Sequence, residues 1–254
     1  MVRITYIGHA TLLIEMDGFR LLTDPILRNR LLHLYRFSDR IDSALYRDID
    51  AVLISHLHWD HLDVASLRRL IPPFKLIVPH RSARYLTRKG FPQALELSPG
   101  EEISLGPLTI QATLADHSGS RPPFGPRAES IGFKIKGSQR IYFAGDTDLF
   151  PEMSAIAGNL DIALLPIWGW GPNLGPGHMD PHRAAQALRL LQPNIAIPIH
   201  WGTFAPLGIS LLMRGFLSQP PITFAHHAEQ LAPEVQIEII PPGSSISLHE
   251  VNGW

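Results

Sequence analysis

The sequence predicts an α/β fold in which two β-sheets pack together with helices outside them. Three observations carry that prediction. Short β-rich runs open the chain, strand-like runs followed by helical patterns recur in both halves, and no short-period repeat or low-complexity tract competes with them. The 254 residues, 45% of them hydrophobic, suffice to bury a large core, and one domain is the default for an α/β chain of this length.

Taken in order, Val2 to Thr23 contains the runs VRITYI, TLLIEM and FRLLT, separated by turn signals at Gly8 and at Asp17-Gly18. Helical periodicity is absent there, so an antiparallel meander is expected. A linker-like stretch of mixed charge, Pro25 to Arg47, leads to AVLIS at 51–55, short and apolar enough for a buried strand. Residues 62–71 and 81–89 look helical and 76–78 extended, with further strands expected over 103–113, 131–136 and 140–144. In the second half a helix is expected over 147–157, buried strands over 161–167 and 195–200, and a helix over 181–192 with Asp180 as N-cap and Pro181 at its first position. The Pro- and Gly-dense stretches 118–127 and 168–177 read as long loops, the kind of segment that carries function.

Charge and composition exclude several functions. The 22 Lys and Arg balance 23 Asp and Glu, which leaves no evident basic face for nucleic acid and no polybasic membrane patch. The absence of cysteine removes disulfides, thiolate metal sites and Cys nucleophiles, so His and carboxylates are the strong ligands at hand. The opening residues, MVRITYIGHATLLIEM, lack the layout of a secretory signal, and no apolar run approaches the roughly 20 residues needed to span a bilayer. A soluble cytoplasmic protein is the expectation.

The strongest chemical signal is Ser55-His56-Leu57-His58-Trp59-Asp60-His61, between AVLIS and a helical pattern. At an extended strand end side chains alternate with period two, so His56 and His58 project to one side and can share a metal. Asp60 and His61 fall where the chain turns and can face a second metal. A surface loop that happens to be His-rich is the alternative, but three His and one Asp within six positions argue against it. Zinc takes about four ligands including water, so partners must come from elsewhere. His117, Asp146 and His200 each follow a β-rich run, at the carboxyl end where α/β sheets place their sites. Singly, each could be a hydrogen-bonded structural residue; with the first motif they form a set.

The run His56 to His61 resembles the HxHxDH signature of the metallo-β-lactamase superfamily, and Gly145-Asp146-Thr147 resembles its bridging-aspartate motif. More narrowly, the stretches 8–25, 177–181 and 199–204 resemble the branch containing the N-acyl-phosphatidylethanolamine phospholipase D type enzymes, with the ascorbate-6-phosphate lactonase type as a cousin. The resemblance runs over nearly the whole chain. It implies an αββα four-layer sandwich in which His56, His58 and His117 hold one metal, Asp60, His61 and His200 the other, and Asp146 bridges them. It also implies that Asp24 hydrogen-bonds a ligand His. Leu57 and Trp59 stand where relatives more often carry a polar residue and Tyr, which affects the rim and not the ligands. The long N-terminal extension of the animal lipid enzyme has no counterpart in these residues, so its lipid specificity is not carried over.

Two divalent ions about 3.5–4 Å apart lower the pKa of a shared water to about 7, giving hydroxide without a protein nucleophile. The expected function is therefore dinuclear hydrolysis of a phosphodiester or related ester, small-molecule or lipid-like, with zinc as the first metal and manganese or iron also accepted by such ligands. A lactonase acting on a sugar-phosphate-type lactone and a non-catalytic metal-binding protein are the alternatives. Asp60 is expected to combine ligation with orienting the hydroxide, and Asp146 to be essential to turnover. His178, in a Gly/Pro-rich loop before a well-capped helix, is expected to donate to the substrate or leaving group, or else to fix its loop. Arg121 and Phe124, with Arg127 nearby, and Trp168 and Trp170 are candidate substrate contacts, with ordinary loop packing as the alternative. Trp201 reads as packing, His9 as a support behind the ligands or a structural residue, and His226-His227 as surface histidines.

Overall fold

The computed structural model describes residues 1–121, 125–169, 175–208 and 215–248. The strands are β1 (Val2–Gly8), β2 (Thr11–Met16), β3 (Phe19–Thr23), β4 (Arg30–Leu31), β5 (Leu34–Arg36), β6 (Ala51–Leu53), β7 (Lys75–Pro79), β8 (Leu95–Leu97) and β9 (Glu102–Leu105). They continue as β10 (Leu108–Leu114), β11 (Ile131–Lys136), β12 (Arg140–Phe143), β13 (Ile162–Pro166), β14 (Ile195–Ile199), β15 (Phe204–Pro206), β16 (Gln236–Ile237) and β17 (Ser244–Leu248). The α-helices are α1 (Val64–Leu67), α2 (Ala83–Arg88), α3 (Met153–Ile156), α4 (Pro181–Leu191) and α5 (Gln219–Leu231).

The opening meander is present: β1, β2 and β3 pair antiparallel. They extend into a seven-stranded sheet of order β17-β1-β2-β3-β6-β7-β8, and a second seven-stranded sheet runs β16-β14-β13-β12-β11-β10-β9. Period two decides what lies between them. Leu21, Ala51, Leu53 and Ile77 face the central core shared with the second sheet, while their neighbours Leu22, Val52, Leu76 and Val78 join Leu67 of α1 and Leu86 of α2 in an outer cluster. On the far side α3, α4 and α5 cover the second sheet with Met153, Ile156, Ala184, Leu188, Phe224 and Ala228. Helices on both outer faces of two packed sheets make the αββα sandwich. Among the described residues no helix is long and apolar enough to cross a membrane.

Several elements depart from the sequence reading. The helix expected over 62–71 is one turn, Val64–Leu67, capped by Asp63, whose carboxylate accepts from the Ser66 amide at 3.0 Å and pairs with Arg28 at 2.8 Å. The helix expected over 147–157 shrinks to Met153–Ile156. Before it, the Asp148 carboxylate accepts from the Leu149 amide at 2.7 Å, a bond that competes with a helical ladder. The run 103–113 is two strands joined at Gly106, and the linker-like 25–47 stretch contributes β4 and β5 to a three-stranded sheet with β15. Helix α4 is as expected: Asp180 accepts from the Arg183 amide at 2.8 Å, with Pro181 in the first turn.

Candidate metal centre

Five strands from both sheets point their carboxyl ends at one place. Loops after β1, β6, β10, β12 and β14 deliver His9, the 56–61 segment, His117, Asp146 and His200 respectively. The strand AVL stops at Leu53, so His56 and His58 stand on a loop and not on a strand end, yet their rings lie 4.5 Å apart. The loop is held from inside by Asp24, which accepts from the Ser55 amide at 2.7 Å and the Ser55 hydroxyl at 2.6 Å. Gly145 lets the next loop approach it: φ is +62°, and a Cβ there would meet Ser55 Cβ at 2.6 Å.

The structure brings the seven sequence-predicted ligands together in overlapping groups. His56, His58 and His117 have ligand atoms within 4.8 Å of one another, as do Asp60, His61 and His200 with His9, and Asp146 falls within that distance of His56 and His61 and, separately, of His117 and His178. Four imidazoles are aimed by the nitrogen that faces away from the cluster. His61 Nδ1 donates to Asp24 at 2.8 Å, His117 Nδ1 to the Gly177 carbonyl at 2.7 Å, His200 Nδ1 to the Trp168 carbonyl at 2.6 Å and His56 Nδ1 to Ser55 Oγ at 3.0 Å. Each of these rings therefore turns Nε2 towards the cluster. His58 differs, presenting Nδ1 to His117 Nε2 at 3.1 Å.

This donor set fits divalent cations. Ligand atoms at the corners of a tetrahedron with bonds of about 2.0–2.1 Å are separated by about 3.3 Å. His58 to His117 is 3.1 Å, His61 to His200 is 3.2 Å, His61 to Asp146 is 3.1 Å and His200 to Asp146 is 3.2 Å. His56 Nε2 and Asp146 Oδ1 are buried without a hydrogen-bond partner, which is costly unless something else meets them.

The electrostatics agree. Burial, with His117 and other imidazoles adding to it, holds His58 down to about 4; burial likewise holds His200 down to about 3 and His56 well below its ordinary value, so these rings are neutral. Burial pushes Asp60 and Asp146 up, but neighbouring histidines outweigh it and keep both carboxylates ionised. His61 is the exception: burial disfavours its proton, yet Asp146, Asp24 and Asp60 together raise its affinity well above normal. The field at that point calls for a cation.

Backbone strain accumulates here. His9, Asp24 and His200 all have left-handed φ, of 60°, 34° and 66°, each costing on the order of 1–3 kcal/mol. His9 Nε2 donates to Asp60 at 3.0 Å and its ring lies tilted against His200 with centroids 3.7 Å apart, so it does face the centre, with Asp60 as a partner the sequence did not disclose. His178 lies 3.5 Å from Asp146.

Arg121 sits elsewhere than a substrate contact would. It is 5% exposed, donates to the Leu57 and Leu62 carbonyls at 2.8 and 2.9 Å, and stacks over Trp59 at 3.8 Å, bracing the His56–His61 loop from outside. Arg127 is exposed, and Trp168 is half-buried beside a cavity. Phe124 and Trp170 lie outside the described residues. Trp201 packs against Tyr6 and donates to the Pro198 carbonyl at 2.8 Å. His226 is exposed on α5, while His227 meets His182 with ring centroids 4.9 Å apart.

A fold of two packed sheets flanked by helices, with a His/Asp cluster at their strand ends, defines a metallo-β-lactamase-type architecture, and comparison with known proteins agrees. The beta-lactamase superfamily domain matches residues 19–201. A metal-dependent hydrolase of Methanopyrus kandleri is 32% identical over 96% of this chain and 99% of its own length. The solved structure of a metallo hydrolase from Ignicoccus hospitalis superposes with a TM-score of 0.75 at 28% identity, covering 98% of both chains. An N-acyl-phosphatidylethanolamine-hydrolyzing phospholipase D of Caenorhabditis elegans is 29% identical over 80% of this chain and 64% of its own. The chain belongs to this family: it is a metal-dependent hydrolase of the metallo-β-lactamase superfamily.

Proposed function

We propose that the chain hydrolyses a phosphodiester or related small-molecule ester with two divalent ions, zinc foremost. His56, His58 and His117 would hold one, Asp60, His61 and His200 the other, and Asp146 would face both. The observation that carries this reading is the position of Asp146, within ligand distance of His56 and His61 and also of His117 and His178. Divalent ions in such a pair polarise the scissile group and acidify water from 15.7 to about 7. The protein supplies orientation. Asp60, ionised and fixed by His9, would combine ligation with orienting the attacking hydroxide. His178 is suited to protonate the leaving oxygen: burial works against its proton, but the contact with Asp146 outweighs this and raises its pKa above the ordinary value. A phosphodiester is favoured over a lactone by the similarity to the nematode phospholipase D.

Elemental analysis of the purified protein tests the metal count, with two equivalents expected. Bis(p-nitrophenyl) phosphate should be turned over, with activity lost to a chelator and restored by zinc or manganese. Less than one equivalent of any transition metal, or hydrolysis of lactones with phosphodiesters refused, overturns the reading.

A further inference from the structure

Beside the centre lies a cavity of about 500 Å³ between the first turn of α4 and the exposed side of α5, none of whose described lining residues is a candidate ligand. Pockets that hold small organic ligands typically run about 300–1,000 Å³. Its apolar lining comes from Trp168, Phe216, Pro181 and Pro220, all but Trp168 buried; Trp168 and Phe216 meet edge to face at 5.9 Å. Thr223 and His182, both exposed, mark its mouth.

Two connections join this cavity to the centre. The carbonyl of Trp168 accepts a hydrogen bond from His200 Nδ1 at 2.6 Å, so the residue that lines the cavity also aims a candidate ligand. Asp180, which lines the cavity and caps α4, stands two residues after His178. A molecule with its scissile bond at the His/Asp cluster is thus one residue layer from an apolar space. We propose that this cavity is the specificity pocket of the enzyme and takes the hydrocarbon substituent, alkyl or aryl, of the ester it hydrolyses. The inference rests on the hydrolytic reading above. Aromatic and proline walls offer hydrocarbon contact, and the polar lining groups have other partners or solvent: Asp180 accepts from the Arg183 amide, the His182 and His227 rings meet each other, and Gln219 and Thr223 are exposed, so the hydrocarbon gains its transfer free energy with little polar penalty.

The experiment compares binding of methylphosphonate, octylphosphonate and benzylphosphonate to the zinc-loaded protein by calorimetry, in the wild type and in Thr223→Trp. Thr223 is exposed on α5, so the larger ring narrows the mouth without entering the core. Each methylene that enters the pocket should strengthen binding about fourfold. Octylphosphonate should therefore bind at least 100-fold more tightly than methylphosphonate to the wild type. Thr223→Trp should remove most of that advantage and leave methylphosphonate affinity and metal content unchanged. A benzyl advantage with no octyl advantage assigns the pocket to aryl groups, and the reverse to alkyl chains. Equal affinities for all three, or an octyl advantage that survives Thr223→Trp, overturn the proposal. If no phosphonate binds, the phosphodiester reading fails by itself, and titration with 1-octanol decides the cavity: binding to the wild type and not to Thr223→Trp upholds it, and no binding overturns it.

Discussion

The two sides of the metal centre are built differently. On the side of Asp60, His61 and His200 the two candidate histidines are buried and Asp60 is half-buried, and each is pinned by a second group: His61 by Asp24, Asp60 by His9, His200 by the Trp168 carbonyl. The left-handed residues His9, Asp24 and His200 all belong to this side. On the other side His58 and His117 are partly exposed, and the loop carrying His58 is braced from outside by Arg121. Asp24 braces both halves, the first through His61 and the second through Ser55; what separates them is the strained backbone of the first and the partly exposed His58 and His117 of the second, where His56 alone is buried. Strain persists where surrounding bonds over-determine it, so the strained half should hold its ion more tightly and the loop half should exchange first.

Asp146→Ala should have the largest effect, because this carboxylate touches both halves. Turnover should fall at least about 10²–10³-fold, and metal content should drop below one equivalent. A variant that keeps one ion at full affinity would assign Asp146 to a single half. Asp24→Asn comes next. It weakens the acceptor behind His61 and should cost about 10–100-fold in metal affinity, read by chelator competition and larger for the tighter equivalent, since Asp24 meets His61 directly and the other half only through Ser55. Weakening of the looser equivalent instead would invert the ranking of the two sides.

Acid should show the same architecture in metal-free protein. His58 is held down to about 4 and His200 to about 3, against an ordinary value of 6.5. Between pH 6.5 and 4 the unfolded chain binds protons that the folded state refuses, so stability falls as pH falls through that window. His61, raised above 6.5, contributes stability fully present below 6.5 and lost only as pH rises through its folded value, so it does not oppose the acid slope. Asp60 and Asp146, depressed below 3.8, add further loss in the same direction at lower pH. Urea midpoints of chelated protein should decline from pH 7 to 4.5, and less steeply in His58→Gln. A flat profile would mean that these rings are not buried neutral.

The residues that cluster at the candidate centre were legible because their chemistry is local or follows a strand. His56 and His58 are two apart in a motif whose residue types admit few other uses, and His117, Asp146 and His200 each end a run whose β-character is plain. What the sequence hid is pairing across distance. The His9 to Asp60 bond spans 51 positions, and the left-handed turn that aims His9 is not disclosed by GHAT. The helix over 147–157 was overestimated where the Asp148 carboxylate captures the Leu149 amide. Helix α5 and strand β17, which closes the first sheet against β1, went unanticipated; the Pro220-Pro221 pair that opens α5 reads as a break when its first-turn position is unknown.

Arg121 marks the limit of such reading, since an arginine in a loop beside a candidate site suggests anion recognition by residue type alone. Its burial and its two carbonyl acceptors give it a different task, and the smallest effect expected follows from that task. Arg121→Lys keeps the charge but loses the guanidinium whose Nη1 donates to both the Leu57 and Leu62 carbonyls while its Cζ sits 3.8 Å over the Trp59 ring. One buried carbonyl left unmet costs about 1–3 kcal/mol, so thermal unfolding should move down by a few degrees. The looser metal equivalent should weaken less than about tenfold, as expected for a change behind the ligands, while the tighter one stays as it was. If the variant instead raises KM for every phosphodiester with both metal affinities and stability unchanged, Arg121 contacts substrate after all, and the loop half of the centre must be held by something other than this brace.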